Sequence, residues 1–232
     1  MTLGAGTGTL LFPPWLWGAG ESPKALPTKK QGAKVRAAFL YPPSKTFASK
    51  PDGWWSWPGN EFDAEGRQKK FVAALREMEQ RLDMKIAVDP EPIANADAAQ
   101  RLASEMQSER PDGLLLVMFY NGSLAIADLL LKAAEEAGIP AIFYIGLGVK
   151  HGSVAQYRRP GLYFIQSLDN LDAIECGLRM VNTKKRLSQS CLLSVTEAQE
   201  TREGVEAFFG ITVRVIPFAR YAEEFGKVSL GE

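Results

Sequence analysis

From residue 34 onward, short apolar runs alternate with longer stretches in which apolar residues recur at helical spacing. Val35-Arg36-Ala37-Ala38-Phe39-Leu40-Tyr41 runs into Pro42-Pro43 and predicts a buried strand, since proline offers no N–H to extend a ladder. Phe71, Leu75, Met78 and Leu82 are spaced by four, three and four residues, the stripe of an amphipathic helix. A short strand over 85–88 stops at Asp89-Pro90, and Ala98, Leu102 and Met106 mark a second helix. The nearly unbroken apolar run 114–120 predicts a strand covered on both faces. Ser123 stands where it can cap the next helix, and Gly138 ends that helix where a positive φ costs least. Runs at 141–145, 162–165, 192–195 and 211–215 are further strands. Between them one helix is expected through Leu171, Ile174, Leu178 and Val181, and another through Ala198, Val205 and Phe208. Strand–helix alternation of this kind predicts an α/β, flavodoxin-like or Rossmann-like three-layer sandwich with a mainly parallel sheet.

The first part of the chain is different. Residues 1–20 hold no charged side chain, and Pro13-Pro14 rules out a continuous membrane helix. The stretch has the shape of an export signal without its basic start, or of an apolar tail. Residues 1–33 are therefore taken as leader and linker and 34–232 as the α/β domain. Export is expected if the leader is the remnant of a signal, and a cytoplasmic location otherwise.

Composition narrows the chemistry. Lysine plus arginine and aspartate plus glutamate each number 27 in 232 residues, so no bulk positive field favours nucleic acid or anionic lipid. Two cysteines make no disulfide framework and lack metal or redox spacing; Cys176 and Cys191 are expected to be buried small hydrophobes. A single histidine leaves the chain poor in the commonest metal ligand.

In open parallel sheets ligands bind beyond the carboxyl ends of the strands, where strand order reverses; for the order 2-1-3-4-5 that is between the first and third strands. The long connection after the first strand carries Trp54, Trp55 and Trp57, with Asn60 close by. Indole faces there suit stacking on sugar C–H faces, or equally a staple on the sheet edge or on a partner subunit. Asn121 and Ser123 follow the third strand and His151 the fourth, and these are the expected polar contacts. Gly146-Leu147-Gly148 to Gly152 is out of register for a dinucleotide fingerprint. The acids Asp89, Glu91, Asp169 and Glu197 lie near strand ends but form no pair in sequence.

Tyr41-Pro42-Pro43-Ser44, Trp55-Ser56-Trp57-Pro58-Gly59-Asn60 leading to Phe62-Asp63-Ala64-Glu65-Gly66-Arg67, then Pro111-Asp112-Gly113-Leu114-Leu115 and Ser167-Leu168-Asp169-Asn170-Leu171-Asp172-Ala173 give the chain a resemblance. It resembles the amino-terminal, substrate-recognising region of the L-fucose and L-arabinose isomerase superfamily. The resemblance implies a monosaccharide ligand and aldose–ketose isomerisation with manganese or another divalent metal. The metal ligands of that family come from a later part of the chain, so no metal or other cofactor is expected on these residues, and catalysis would need a partner catalytic domain or a homo-oligomer. Pro111-Asp112-Gly113-Leu114-Leu115 with the run from Ala133 to Ala141 is also similar to the first lobe of periplasmic sugar-binding proteins, which implies binding or sensing without catalysis. The third expectation is a structural subunit docked through the tryptophan connection.

Overall fold

The computed structural model describes residues 30–46, 63–146, 154–167 and 169–228. Two compact units are present: Gln31–Lys185, and a smaller one described over 186–228 and at Lys30.

In the larger unit, β1 (Lys34–Leu40), β2 (Lys85–Val88), β3 (Gly113–Met118), β4 (Ala141–Ile145) and β5 (Leu162–Gln166) form one sheet in the order β2-β1-β3-β4-β5. All four pairings are parallel, with Val35 opposite both Ile86 and Gly113, and Ala141 opposite both Leu114 and Leu162. The α/β class and the strand order expected from sequence are both present. Successive side chains of a strand point to opposite faces, and the central strands bury both sets. Phe39, Leu115, Val117 and Tyr144 face α1 (Ala64–Leu82) and α4 (Leu171–Ser188), through Phe71, Leu75, Ile174 and Leu178. Leu40, Leu116, Met118 and Phe143 face α2 (Ala96–Glu109) and α3 (Leu124–Glu136), through Leu102, Met106, Leu130 and Leu131. This is the three-layer sandwich.

The helix ends follow local chemistry. Asp63 caps α1 by accepting from the Gly66 N–H at 2.7 Å, and Asn95 caps α2 by accepting from Ala98 at 2.9 Å. Gly138, at φ 69°, closes the turn after α3 as expected. One buried amide fastens the whole of the α1/α4 face. Asn182 of α4 accepts from the Ala33 N–H at 2.9 Å and donates to the Leu82 carbonyl at 2.7 Å, joining the entry to β1 with the end of α1.

In the smaller unit, β6 (Cys191–Thr196), β7 (Arg202–Val205) and β8 (Thr212–Pro217) make a second sheet in the order β6-β8-β7, followed by α5 (Phe218–Phe225). β6 and β8 run parallel, whereas β7 and β8 are antiparallel. The helix expected through Ala198, Val205 and Phe208 is absent. Val205 ends β7, and the Glu206 carboxylate accepts from the N–H groups of Phe208 and Phe209 at 2.8 and 2.7 Å, which closes a hairpin turn. That side-chain bond gives the backbone an alternative to helix, and Gly204 and Gly210 weaken helix further. The cysteines also differ from expectation: Cys176 is exposed and Cys191 half-buried. Cys176 lies on the solvent side of α4, off the stripe formed by Ile174, Leu178 and Val181. Among the described residues no helix is long and apolar enough to cross a membrane.

Asn182→Ala would leave a buried donor and a buried acceptor unsatisfied, at about 1–3 kcal/mol each. A loss of about 3 kcal/mol in urea unfolding is expected, and a loss under about 1 kcal/mol would deny the amide this fastening role.

Candidate functional site

At the carboxyl ends of β1, β3, β4 and β5, side chains from distant parts of the chain meet. The exit of β1 is tied to the start of α1 by reciprocal bonds. The Ser44 N–H donates to Glu65 at 2.9 Å, its hydroxyl donates to the other oxygen of that carboxylate, and the Ala64 N–H donates to the same hydroxyl at 3.0 Å. Burial pushes the Glu65 carboxyl up, but the Ser44 hydroxyl and N–H outweigh it and hold the group below its ordinary value. A Cβ at Gly66 would lie 2.0 Å from an oxygen of the capping Asp63 carboxylate, so any larger residue there would have to displace the cap side chain.

This start of α1 aims two residues over the sheet. The Gln68 side chain accepts from the buried Tyr41 hydroxyl at 2.5 Å. Arg67 reaches across the tops of β3 and β4 to Asp169, in the connection after β5, with an N–O distance of 2.6 Å. Its guanidinium also sits 5.7 Å from the ring centroid of Phe119, at the end of β3, within cation–π range. Beneath the pair is the Tyr144 hydroxyl of β4, buried and without a well-formed hydrogen bond among the described residues. Burial raises the Tyr144 pKa and the Asp169 charge adds to this, while the Asn170 N–H, Arg67 and Ser167 draw it back. Arg67, Asp169 and the Tyr144 hydroxyl therefore come together beside the Phe119 ring, with the Asp63 and Glu65 carboxylates at the same start of α1.

A second crevice, of about 410 Å³, follows α2 beside the connection after β2. There Arg36 is held by Asp89, by Glu105 at 2.9 Å and by Glu109 at 3.3 Å. Burial keeps the Asp89 carboxyl above its ordinary value in spite of the Arg36 charge, while the hydrogen bond to Asp89 raises Arg36. Three acids hold the terminal nitrogens of this arginine and join β1, β2 and α2, while among the described residues its buried Nε–H and one Asp89 oxygen have no partner. A third opening, of about 270 Å³ near Ile139, Pro160 and Lys184, lies at the amino ends of β4 and β5, away from where parallel sheets bind ligands.

Of the residues expected from sequence, Trp54, Trp55, Trp57, Asn60 and His151 lie outside the described residues, as does the glycine stretch beyond Gly146. The backbone of Asn121 opens the short turn after β3. Ser123 is buried at the capping position of α3, but its hydroxyl makes no cap bond; the capping expectation fails because that residue is already turned, at φ −88° and ψ 4°. Sequence reading missed Arg67, Gln68 and Tyr144 and left Asp169 without a partner. The signal for Arg67 and Gln68 was their place in the first turns of a helix that directly follows the strand-exit connection. Among the described residues no three His, Cys, Asp or Glu side chains are grouped to hold a metal ion.

Burial pushes the Tyr41 hydroxyl up to about 12, and the charges of Glu65, Glu91 and Asp63 add to it. An unfolded tyrosine ionises near 10, so between roughly pH 10 and 12 the unfolded chain releases this proton while the folded chain keeps it. Stability contributed by Tyr41 is therefore complete below about pH 10 and declines as pH rises. In urea unfolding, Tyr41→Phe is expected to cost about 1 kcal/mol at neutral pH, through the lost bond to Gln68, and the gap should narrow above about pH 10. A gap that widens there would show that burial is not what holds the proton.

No family model matches the chain, and no curated protein matches it. Among solved structures, the type II dehydroquinase from Propionibacterium acnes is similar, at 14% identity and a TM-score of 0.37, over 67% of this chain and 99% of that one. At that level nothing is carried from the enzyme to residues here. The resemblance to the L-fucose and L-arabinose isomerases is corrected: no model of that superfamily matches, and the similar structure found is a dehydroquinase. Part of the likeness lay in Pro-, Gly-, Asn- and Asp-containing turns, residue types that recur wherever a chain must turn. Manganese entered only through that resemblance.

Proposed function

We propose that the larger unit recognises a small, polyhydroxylated molecule of low net charge at the carboxyl ends of β1, β3, β4 and β5. The observation that carries this reading is the convergence of Arg67 and Asp169 above the buried, underused Tyr144 hydroxyl. A hydroxyl-bearing ligand both donates and accepts. Asp169, its side chain 68% exposed, offers acceptors, Arg67 offers donors, and Ser167 offers either. Because Arg67 is matched by Asp169, with the Asp63 and Glu65 carboxylates at the same helix start, an anionic ligand would be opposed, whereas a neutral polyol satisfies both partners.

The test is calorimetric titration and thermal shift on the full chain, against pentoses, hexoses, hexitols and small hydroxy acids, without added metal. A ligand at about 100 times its Kd should stabilise the fold by about 2.7 kcal/mol. Arg67→Ala and Asp169→Asn should each weaken binding by roughly 10- to 100-fold, the cost of a hydrogen bond to a charged group. The double variant Trp55→Ala with Trp57→Ala asks separately whether the stacking expected from sequence contributes. Binding untouched by both Arg67→Ala and Asp169→Asn would move the site elsewhere, and no binding across the panel would sink the reading.

A further inference from the structure

The smaller unit has an edge strand without the usual defences. Among the described residues β6 pairs with β8 on one side only, and its Cys-Leu-Leu-Ser-Val-Thr sequence holds no charge and no proline, the devices that keep natural sheet edges from pairing. Leu192, Leu193 and Val195 are 52%, 57% and 41% exposed, so both faces of the strand present aliphatic surface. The parity of the free edge follows from one bond: the Ser190 carbonyl accepts from the Thr212 N–H at 3.1 Å. Residues of even number thus turn their backbone groups to β8, and Cys191, Leu193 and Val195 turn theirs to the open edge.

We infer that this edge pairs with the β6 of a second copy, antiparallel about a two-fold axis at Leu193. In that register Leu193 lies opposite its own counterpart and Cys191 opposite Val195, so all three outward residues fall in hydrogen-bonded pairs and supply about six backbone bonds. A second copy fits better than an unrelated partner because the segment complements itself. The uncharged strand brings no like charges face to face. Arg186 precedes it and Glu197 and Glu200 follow it, so antiparallel pairing sets the basic end of each copy beside the acidic end of the other. The contact is isologous and closes at two copies, and one sheet runs through both.

Sedimentation equilibrium on the full chain at micromolar concentration reads this directly. Twice the 25.5 kDa chain mass is expected for the natural sequence, and single-chain mass for Leu193→Lys with an unchanged circular dichroism spectrum. With Cys176→Ser and Cys191→Ser in the background, Leu193→Cys should give a disulfide-linked dimer on oxidation, because directly opposed Cα atoms about 5.5 Å apart are within disulfide reach. Ser194→Cys should not, since its counterparts lie diagonally, beyond about 7 Å. Single-chain mass at every concentration would overturn the inference, whether the edge is empty or met by this chain itself. A dimer that survives Leu193→Lys, or a mass that grows without limit, would overturn it equally.

Discussion

A parallel sheet whose central strands are apolar on both faces must be covered twice, and most of the larger unit follows from that demand. β3 is buried along its whole length, as are β4 and nearly all of β1. Each residue parity of these strands needs its own helical layer, so the chain has to cross from face to face between strands. Every crossing begins at a carboxyl end of the sheet. The demand for two covers thus delivers several chain segments to one rim, and Arg67 and Asp169 meet there although 102 residues separate them in sequence.

Two arginines show how differently the same side chain is used. Arg36 is ringed by three carboxylates, one of them almost fully buried, which hold its two terminal nitrogens and leave only its buried Nε–H without a partner among the described residues. Arg67 meets Asp169, whose side chain is 68% exposed, and rests on an aromatic ring. An exposed pair of this kind is worth little to stability, and its orientation is fixed mainly by the buried stem and by the start of α1. The first arrangement is what an inter-element joint needs. The second leaves polar groups oriented and reachable, which supports a recognition role for the rim.

The layers of the fold were legible in the sequence because burial writes itself as local pattern. The unbroken run at 114–120, the stripe of Phe71, Leu75 and Met78, and Gly138 each act within a few residues, and each is where the pattern places it. The pattern misled where two competing signals overlapped: Val205 and Phe208 have helical spacing, yet the Glu206 side chain closes a turn between them. The rim was hardly legible. Tyr144 reads as one more apolar strand residue, and its hydroxyl gains meaning only from Asp169 and Ser167, which a different strand exit supplies. Arg67 and Asp169 are ordinary surface types until the fold brings them together. The tryptophans drew attention for their composition, while the residues that converge are unremarkable in composition and related only through three dimensions.

The Asn182 amide also has a consequence in time. Its partner Ala33 stands 149 residues earlier in the chain. At a synthesis rate of about 5–20 residues per second, roughly 7 to 30 s separate the emergence of the two. Ile142 and Tyr144 emerge late in that interval, about 30 to 40 residues ahead of the 174–182 part of α4 that covers them, so their part of the face is open for roughly 2 to 8 s. Before that, α1 has already been made and can cover the same face over β1 through Phe71 and Leu75. The face is complete only when α4 arrives, and Asn182 then closes the seam between two segments made long before it.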